Sequence, residues 1–272
     1  MPSPIIQDLA IFGAGIAAGM INVVVGSGTL ITFPTLLAFN FPPVLANVSN
    51  NIGLIPGSLT GAWGYRAELS GQRDRALKLG SASLGGGIVG AILLLVLPAG
   101  AFETIVPVLI GIALVMVILQ PQLATWVRKR AAAPARAPAA AAAGEAEVGA
   151  GTQQADAGGW VLWFLVFCTG IYGGYFGAAQ GVLLLGLLGV VLGDTMQRVN
   201  AVKNILAALV NGIAAIVFII VSHVDWTAAG IIAVGSVIGG LIGAKVGRKL
   251  SPWSLRIVII CVGIAALVKL LV

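Results

Sequence analysis

Two stretches of this chain combine glycine with amide and hydroxyl side chains inside otherwise apolar sequence. One carries Gly15, Gly19, Asn22, Gly26, Ser27, Gly28 and Thr29; the other carries Gly170, Tyr172, Gly173, Gly174, Tyr175, Gly177, Gln180 and Gly181. Glycine-rich, polar interruptions are where a helix can break at membrane depth. A break frees backbone N–H groups at the start of the next half-helix, and the local dipole helps them hold an anion. The glycines alone would also serve close helix packing, the preferred reading for Gly15 with Gly19, Gly86 with Gly90 and Gly239 with Gly243. Packing has no use for carboxamides or hydroxyls, so Asn22, Ser27, Thr29 and Gln180 stay candidates for binding. Tyr172 and Tyr175 offer hydroxyl donors beside the second break, although ordinary packing explains them as well.

A second polar set lies on helices. Asn47, Ser49, Asn50 and Asn51 open one apolar segment, and Asn200, Lys203, Asn204 and Asn211 lie on another. Spacings of three and four put Asn47 with Asn50 and Asn51 on one face, and Asn200 with Lys203 and Asn204 on one face of the other. Such stripes are expected to point away from lipid. Lys203, about one turn into its helix, has two readings: it snorkels to the cytoplasmic surface, or it faces a polar cavity as the cation for an anionic substrate. Arg198, beside Asp194, reads as a surface anchor, and Trp63 and Tyr65 read as interfacial residues.

Other chemistry is excluded by shortage of residues. The chain has a single histidine, His223, and two cysteines, Cys168 and Cys261, far apart within apolar runs. No HExxH, GxSxG or convergent His/Asp/Glu cluster occurs, so neither an enzyme nor a metal site nor a cofactor is expected. No acidic residue lies plainly at mid-membrane, which argues against a carboxylate relay; backbone carbonyls at the breaks remain available to a cation.

The elements that must position these residues follow from composition. Of 272 residues 59% are hydrophobic and 9% charged, against roughly a quarter charged in soluble domains. An all-α polytopic membrane protein is the fold class. Apolar runs of spanning length lie near 5–25, 45–65, 77–97, 104–121, 160–180, 198–222, 227–246 and 254–272, about eight helices. Two shorter pieces, 29–39 and 182–192, suit re-entrant arms or the second halves of broken helices. Residues 128–158 are rich in Ala, Pro and Gly and contain no aromatic residue, the composition of a flexible, disordered linker. The expected domains are therefore 1–127, a first transmembrane repeat; 128–158, the linker; and 159–272, a second repeat.

The halves are duplicates. A shift of 155 sets Gly15, Gly19, Asn22 and Gly26 on Gly170, Gly174, Gly177 and Gly181, and a shift of 153 sets Asn47 and Asn51 on Asn200 and Asn204 and Gly86 and Gly90 on Gly239 and Gly243. Charge sets their relation. Arg66, Arg73, Arg75 and Lys78 lie between the second and third long segments of the first copy, whereas Lys245, Arg248 and Lys249 follow the third long segment of the second. The positive-inside rule then makes the copies inverted, the linker cytoplasmic and both termini outside.

With these residues in place the chain resembles the TauE/SafE permeases, a group of sulfite and organosulfonate exporters and related anion carriers. The resemblance rests on the spacing from Gly15 to Thr29, on Pro34, on the Asn-rich stretch from Ala46 to Gly61, on the degenerate copy from Gly170 and on the Lys203 helix. It implies a permease for a small sulfur or organic oxyanion. The second copy departs from the pattern at Gly177-Ala-Ala-Gln180-Gly181, so an identically mirrored site is not implied.

The resulting expectation is a secondary transporter working by alternating access around a midplane site formed by the broken helices. That site takes in Asn22, Gly26, Ser27, Gly28, Thr29, Asn47, Asn51, Tyr172, Tyr175, Gly177, Gln180, Gly181, Asn200, Lys203 and Asn204. The expected partners are the lipid bilayer and a small anion, with a coupling proton or sodium ion and a homodimer left open and no nucleic acid. The expected location is the bacterial cytoplasmic (inner) membrane. An anion channel and a non-transporting membrane subunit are the alternatives.

Overall fold

The computed structural model describes residues 3–132, 159–192, 194–246 and 252–271. Among them the chain forms ten α-helices and no strand: α1 (Pro4–Val24), α2 (Thr29–Ala38), α3 (Pro43–Gly64), α4 (Arg73–Val96), α5 (Ala99–Ala132), α6 (Gly159–Tyr175), α7 (Gln180–Leu192), α8 (Met196–Val221), α9 (Trp226–Val246) and α10 (Pro252–Leu271). Proline opens α1, α3 and α10, a position where its missing N–H costs no hydrogen bond. The expected linker begins inside α5, which runs on to Ala132; its remainder, 133–158, lies outside the described residues, as do Arg248 and Lys249.

Five helical stretches are long and apolar enough to cross a membrane: Pro4–Val24, Arg73–Val96, Gly100–Gln122, Met196–Val221 and Trp226–Lys245. The other segments expected to span are helical too but fall short of that measure for separate reasons. With 22 residues α3 is long enough, yet Asn47, Ser49, Asn50, Asn51 and its glycines dilute its apolarity. The sixth helix has only 17 residues, and the apolar part of α10 is Ile257–Val268. At 10 and 13 residues, α2 and α7 are the two half-length helices. The outward surface is apolar, with Ile5, Leu9, Val96, Trp160 and Ile220 all exposed. This is an integral membrane protein.

Each short helix turns back on the helix before it. Gly28, at the entry to α2, lies so close to the Ala18 carbonyl that a Cβ would meet its oxygen at 2.5 Å. The long helices then pack across the two halves: α1 and α3 lie on α9, while α6 and α8 lie on α4. Glycine permits these crossings. A Cβ on Gly19 would stand 2.7 Å from the Ser236 Cα, and Gly86 and Gly90 accept the backbone of Phe167 and Ile171. Ser236 pins α9 to α3, its hydroxyl donating to Gly53 O at 2.9 Å and accepting from Gly57 N–H at 3.2 Å.

Polar contacts mark the two ends of the bundle. At one end Arg75, in the first turn of α4, meets Asp194 at 3.2 Å, Arg198 of α8 meets the same carboxylate at 3.0 Å, and Arg198 also donates to Ser70 O at 3.2 Å. At the other end the Asp225 N–H, ahead of α9, donates to Ser49 Oγ near the start of α3 at 3.0 Å. The start of α8 thus lies beside the end of α3, and the end of α8 beside the start of α3. Arg198, expected as a surface anchor, is partly exposed in this contact. Tyr65 differs: it is buried against Val23 and Ala201, while Trp63 stays exposed under the Arg66 guanidinium at 4.2 Å.

Candidate functional site

The two glycine-rich stretches form two breaks built alike. Helix α1 stops because Gly26 takes φ +90°, and its N–H reaches back to Ile21 O at 3.0 Å; α6 stops because Gly177 takes φ +74°, and its N–H returns to Tyr172 O at 3.0 Å. Left-handed backbone of this kind ends helices and favours glycine. Gly177 lies 151 positions after Gly26, and Gln180, which opens α7, lies 151 after Thr29, which opens α2. The packing agrees: Gly19 sits on Ser236 and Gly170 on Ser83, residues related by the 153 shift. The shift of 155 expected for this stretch is therefore out by four residues. Four residues is close to one helical turn, so a glycine pattern repeating every three or four residues matches itself nearly as well when displaced by a turn.

The breaks touch each other. Gly181 N–H donates to Gly26 O at 3.1 Å, and a Cβ on either glycine would overlap the other's backbone. This first-turn N–H of α7 is consumed by the opposite break, so the expectation that it stands free for a ligand is corrected. At the start of α2, among the described residues, the N–H groups of Ser27, Gly28 and Thr29 take no protein acceptor. The Ser27 hydroxyl, wholly buried, has no partner either.

Lys203 neither snorkels nor stands alone. Its side chain is 0% exposed, and the ammonium donates to Asn22 O and Val23 O, each at 3.1 Å. Asn200 Nδ2 adds a bond to Val23 O at 3.3 Å. Helix α8 thus caps the last carbonyls of α1, where the negative end of the helix dipole favours a cation. Asn47, 153 positions before Asn200, donates from Nδ2 to Tyr175 O at 3.0 Å at the end of α6. Asn50 stands at the place of Lys203, 153 positions earlier, but turns to α2: it donates to Thr29 Oγ1 at 3.2 Å and accepts from the Thr32 hydroxyl. Asn22 Nδ2 donates to Ser58 Oγ at 3.0 Å and Asn51 Nδ2 to Asn211 Oδ1 at 3.4 Å.

Several buried polar atoms remain without a partner, an unusual concentration for a folded interior. The donors include Gln180 Nε2, Asn204 Nδ2 and Tyr175 Oη; the acceptors include Asn47 Oδ1, Asn51 Oδ1 and Asn200 Oδ1. Gln180 lies over Gly173, which has no side chain to obstruct it. The Tyr172 hydroxyl lies near the Ala179 N–H without closing a well-formed bond. The Tyr175 ring has packing duty, 5.6 Å from Phe102 in a cluster with Phe33 and Phe176.

Sequence reasoning missed Ser58, Thr32 and Ser236. Ser58 was within reach of it, being seven residues from Asn51 on the same face of α3. Outside the membrane, burial pushes the Asp194 carboxyl up, but the Thr195 N–H, Arg198 and Arg75 outweigh it and hold it below the ordinary carboxylate value. Among the described residues no group of three His, Cys, Asp or Glu side chains could hold a metal ion. The arrangement offers neutral donors and one ammonium, which can hold an oxyanion without chemical change.

Comparison with known proteins agrees in kind. Residues 11–270 match the family model described as sulfite exporter TauE/SafE. The chain is similar to the "probable membrane transporter protein YfcA" of Escherichia coli K12, at 25% identity over 272 residues, all of this chain and 91% of that protein. It is similar to a "probable membrane transporter protein" of Haemophilus influenzae, at 23% over 238 residues, 86% of this chain and 83% of the relative. It is also similar to the "probable membrane transporter protein ORF9" of a Sinorhizobium species, at 33% over 117 residues, 40% and 44% of the two chains. No solved structure matches. With a family model spanning all but the chain's two ends, this protein belongs to the sulfite exporter TauE/SafE family.

Proposed function

We propose that the protein is a secondary transporter that carries a small oxyanion, sulfite or an organosulfonate, by alternating access around the paired breaks. The observation that carries this reading is the contact of Gly26 with Gly181, which brings the two interrupted helices together, beside buried donors that no protein group uses. The free N–H groups at the start of α2, Ser27 Oγ, Gln180, Asn204 and the third N–H of Lys203 form the anion's donor set. Gly26, Gly28, Gly177 and Gly181 shape the breaks. Asn22, Asn47, Asn51 and Asn200 hold them in place, with Thr29, Tyr172 and Tyr175 at their edges. All of these donors except Lys203 are neutral, so each bond contributes only about 1 kcal/mol and the ligand can leave, which transport requires.

Two inverted repeats, 1–127 and 159–272, joined by a cytoplasmic linker at 128–158, are the frame. The supporting observation is the antiparallel course of α3 and α8, together with the exchange of partners in which α1 lies on α9 while α6 lies on α4. Both termini then face outside the inner membrane, with Arg66, Arg73, Arg75 and Lys78 inside. Membrane potential alone favours export of an anion; uptake needs a coupled cation.

Counterflow in proteoliposomes loaded with sulfite, sulfonates or small carboxylates tests the reading. Saturable exchange confined to one anion class is expected. Conduction that neither saturates nor exchanges would replace the carrier with an anion channel, and no flux from folded protein would leave a membrane subunit.

A further inference from the structure

The two breaks are matched in backbone but not in charge. At the end of α1, the carbonyls of Asn22 and Val23 receive the Lys203 ammonium. The residues 151 positions on are Gly173 and Gly174, whose carbonyls occupy the same places at the end of α6 and take no donor among the described residues. Asn50, at the place of Lys203, is committed to Thr29 and Thr32 and supplies nothing there. Among the described residues no cation therefore compensates the negative end of α6, at a depth where water is scarce.

A second observation points to what fills the place. Asn47 is 2% exposed, and its Nδ2 bonds Tyr175 O, which fixes its carboxamide at the end of α6. The other atom of that carboxamide, Oδ1, is buried with no partner. This unpaired acceptor and the two open carbonyls belong to one helix end, where the Gln180 carboxamide, its Nε2 also unpaired, lies over Gly173.

We propose that the end of α6 binds a monovalent metal cation through Gly173 O, Gly174 O and Asn47 Oδ1, the counterpart of the Lys203 ammonium at the end of α1. Neutral carbonyl oxygens on a half-helix end suit an alkali ion. A divalent ion would require carboxylates, and none lies there among the described residues. A proton has no base to sit on. The site rests on the pseudo-repeat and deepens the transport reading, because a cation bound beside the anion lets the two move together.

Thermal unfolding of the purified full chain in sodium chloride, against choline chloride at the same ionic strength, tests the site without transport. The expected result is a saturable rise of Tm with sodium that choline does not give. Asn47→Ala should raise the half-saturating sodium concentration at least tenfold. Asn50→Lys, which carries an ammonium to the mirrored place, should abolish the sodium response and keep the helical circular dichroism of the parent. Equal Tm in the two salts overturns the site, as does an Asn47→Ala response equal to that of the parent. If Asn47→Ala does not fold, an undiminished sodium response in Asn50→Lys overturns it alone. Sodium-dependent Tm without anion counterflow would leave the site standing and remove the transport reading; counterflow without sodium dependence would do the reverse.

Discussion

A lysine with no exposed surface in a membrane protein needs a reason for its charge, and Lys203 has one in the two carbonyls that end α1. Hydrogen bonds from a charged group contribute about 1.5 to 3 kcal/mol each time such a partner is removed, and Lys203→Met leaves both Asn22 O and Val23 O short of that donor. Because Val23 O keeps its bond from Asn200, the loss at Asn22 O dominates, and the denaturant midpoint in detergent should fall by the equivalent of about 2 to 3 kcal/mol. Asn47→Ala, which removes one neutral bond to Tyr175 O, should cost about 1 kcal/mol. If both variants lost the same amount, the ammonium would not be what secures α1. Lys203→Met should also weaken anion binding in the same preparation; unchanged affinity would confine Lys203 to capping. Gly26 makes a separate case. It has φ +90° and meets Gly181 backbone, whereas Gly71 has φ +74° with nothing within 4 Å. Gly71→Ala should cost about 1 kcal/mol from backbone strain alone. Gly26→Ala must in addition push the breaks apart, and so should lose stability and counterflow together. Equal losses at the two positions would show that contact between the breaks is unimportant.

Helices were legible in this sequence to the extent that their signals are local. The half-length of α2 and α7, the break glycines and the polar stripes of α3 and α8 all stand in consecutive residues. Two things were not legible. The register of the break stretches slipped by a turn, since only the partner helix distinguishes Gly19 on Ser236 from Gly15 on Ile232 and Gly235. The use of Lys203 was equally hidden, because nothing in α8 says that the end of α1 lies opposite it. Tyr65 read as interfacial from its neighbours Trp63 and Arg66, yet its burial depends on Val23 and Ala201 from distant segments. Crossings at glycine give the element scale its own test. Gly239 lies against the Ile16 carbonyl and the Met20 N–H, whereas Gly230 on the same helix has nothing within 4 Å. Gly239→Val should separate α9 from α1 and abolish cooperative unfolding, while Gly230→Val should stay within about 0.5 kcal/mol of the parent. Comparable effects at both would mean that α1 and α9 do not depend on close backbone approach.

Contacts between the halves set what the whole molecule can do, and among the described residues Asp194 makes the ion pair between them. It joins Arg75 of the first half to Arg198 of the second. Its carboxyl titrates below the ordinary value in the folded protein, so its stabilisation is present above the unfolded pKa and is lost as pH falls through the folded one. Asp194→Asn should therefore be less stable at neutral pH, by about 1 kcal/mol for a partly exposed pair, and the gap should close in acid; a gap independent of pH would discard the ion pairs as its source. That cluster also fixes which loops share an end of the bundle. Pro42 and Thr195 are 153 positions apart, precede α3 and α8 respectively, and are exposed. In a parallel duplication they would lie on the same side of the membrane. Here Thr195 neighbours Asp194 and the Arg75 end, whereas the start of α3 neighbours Asp225. In a background with Cys168 and Cys261 replaced by serine, Pro42→Cys should react with a membrane-impermeant maleimide in intact cells. Thr195→Cys should react only after permeabilisation, together with Ser70→Cys. Labelling of Pro42→Cys and Thr195→Cys from one side would sink the proposed inverted arrangement and, with it, the opposed breaks on which the proposed alternating access depends.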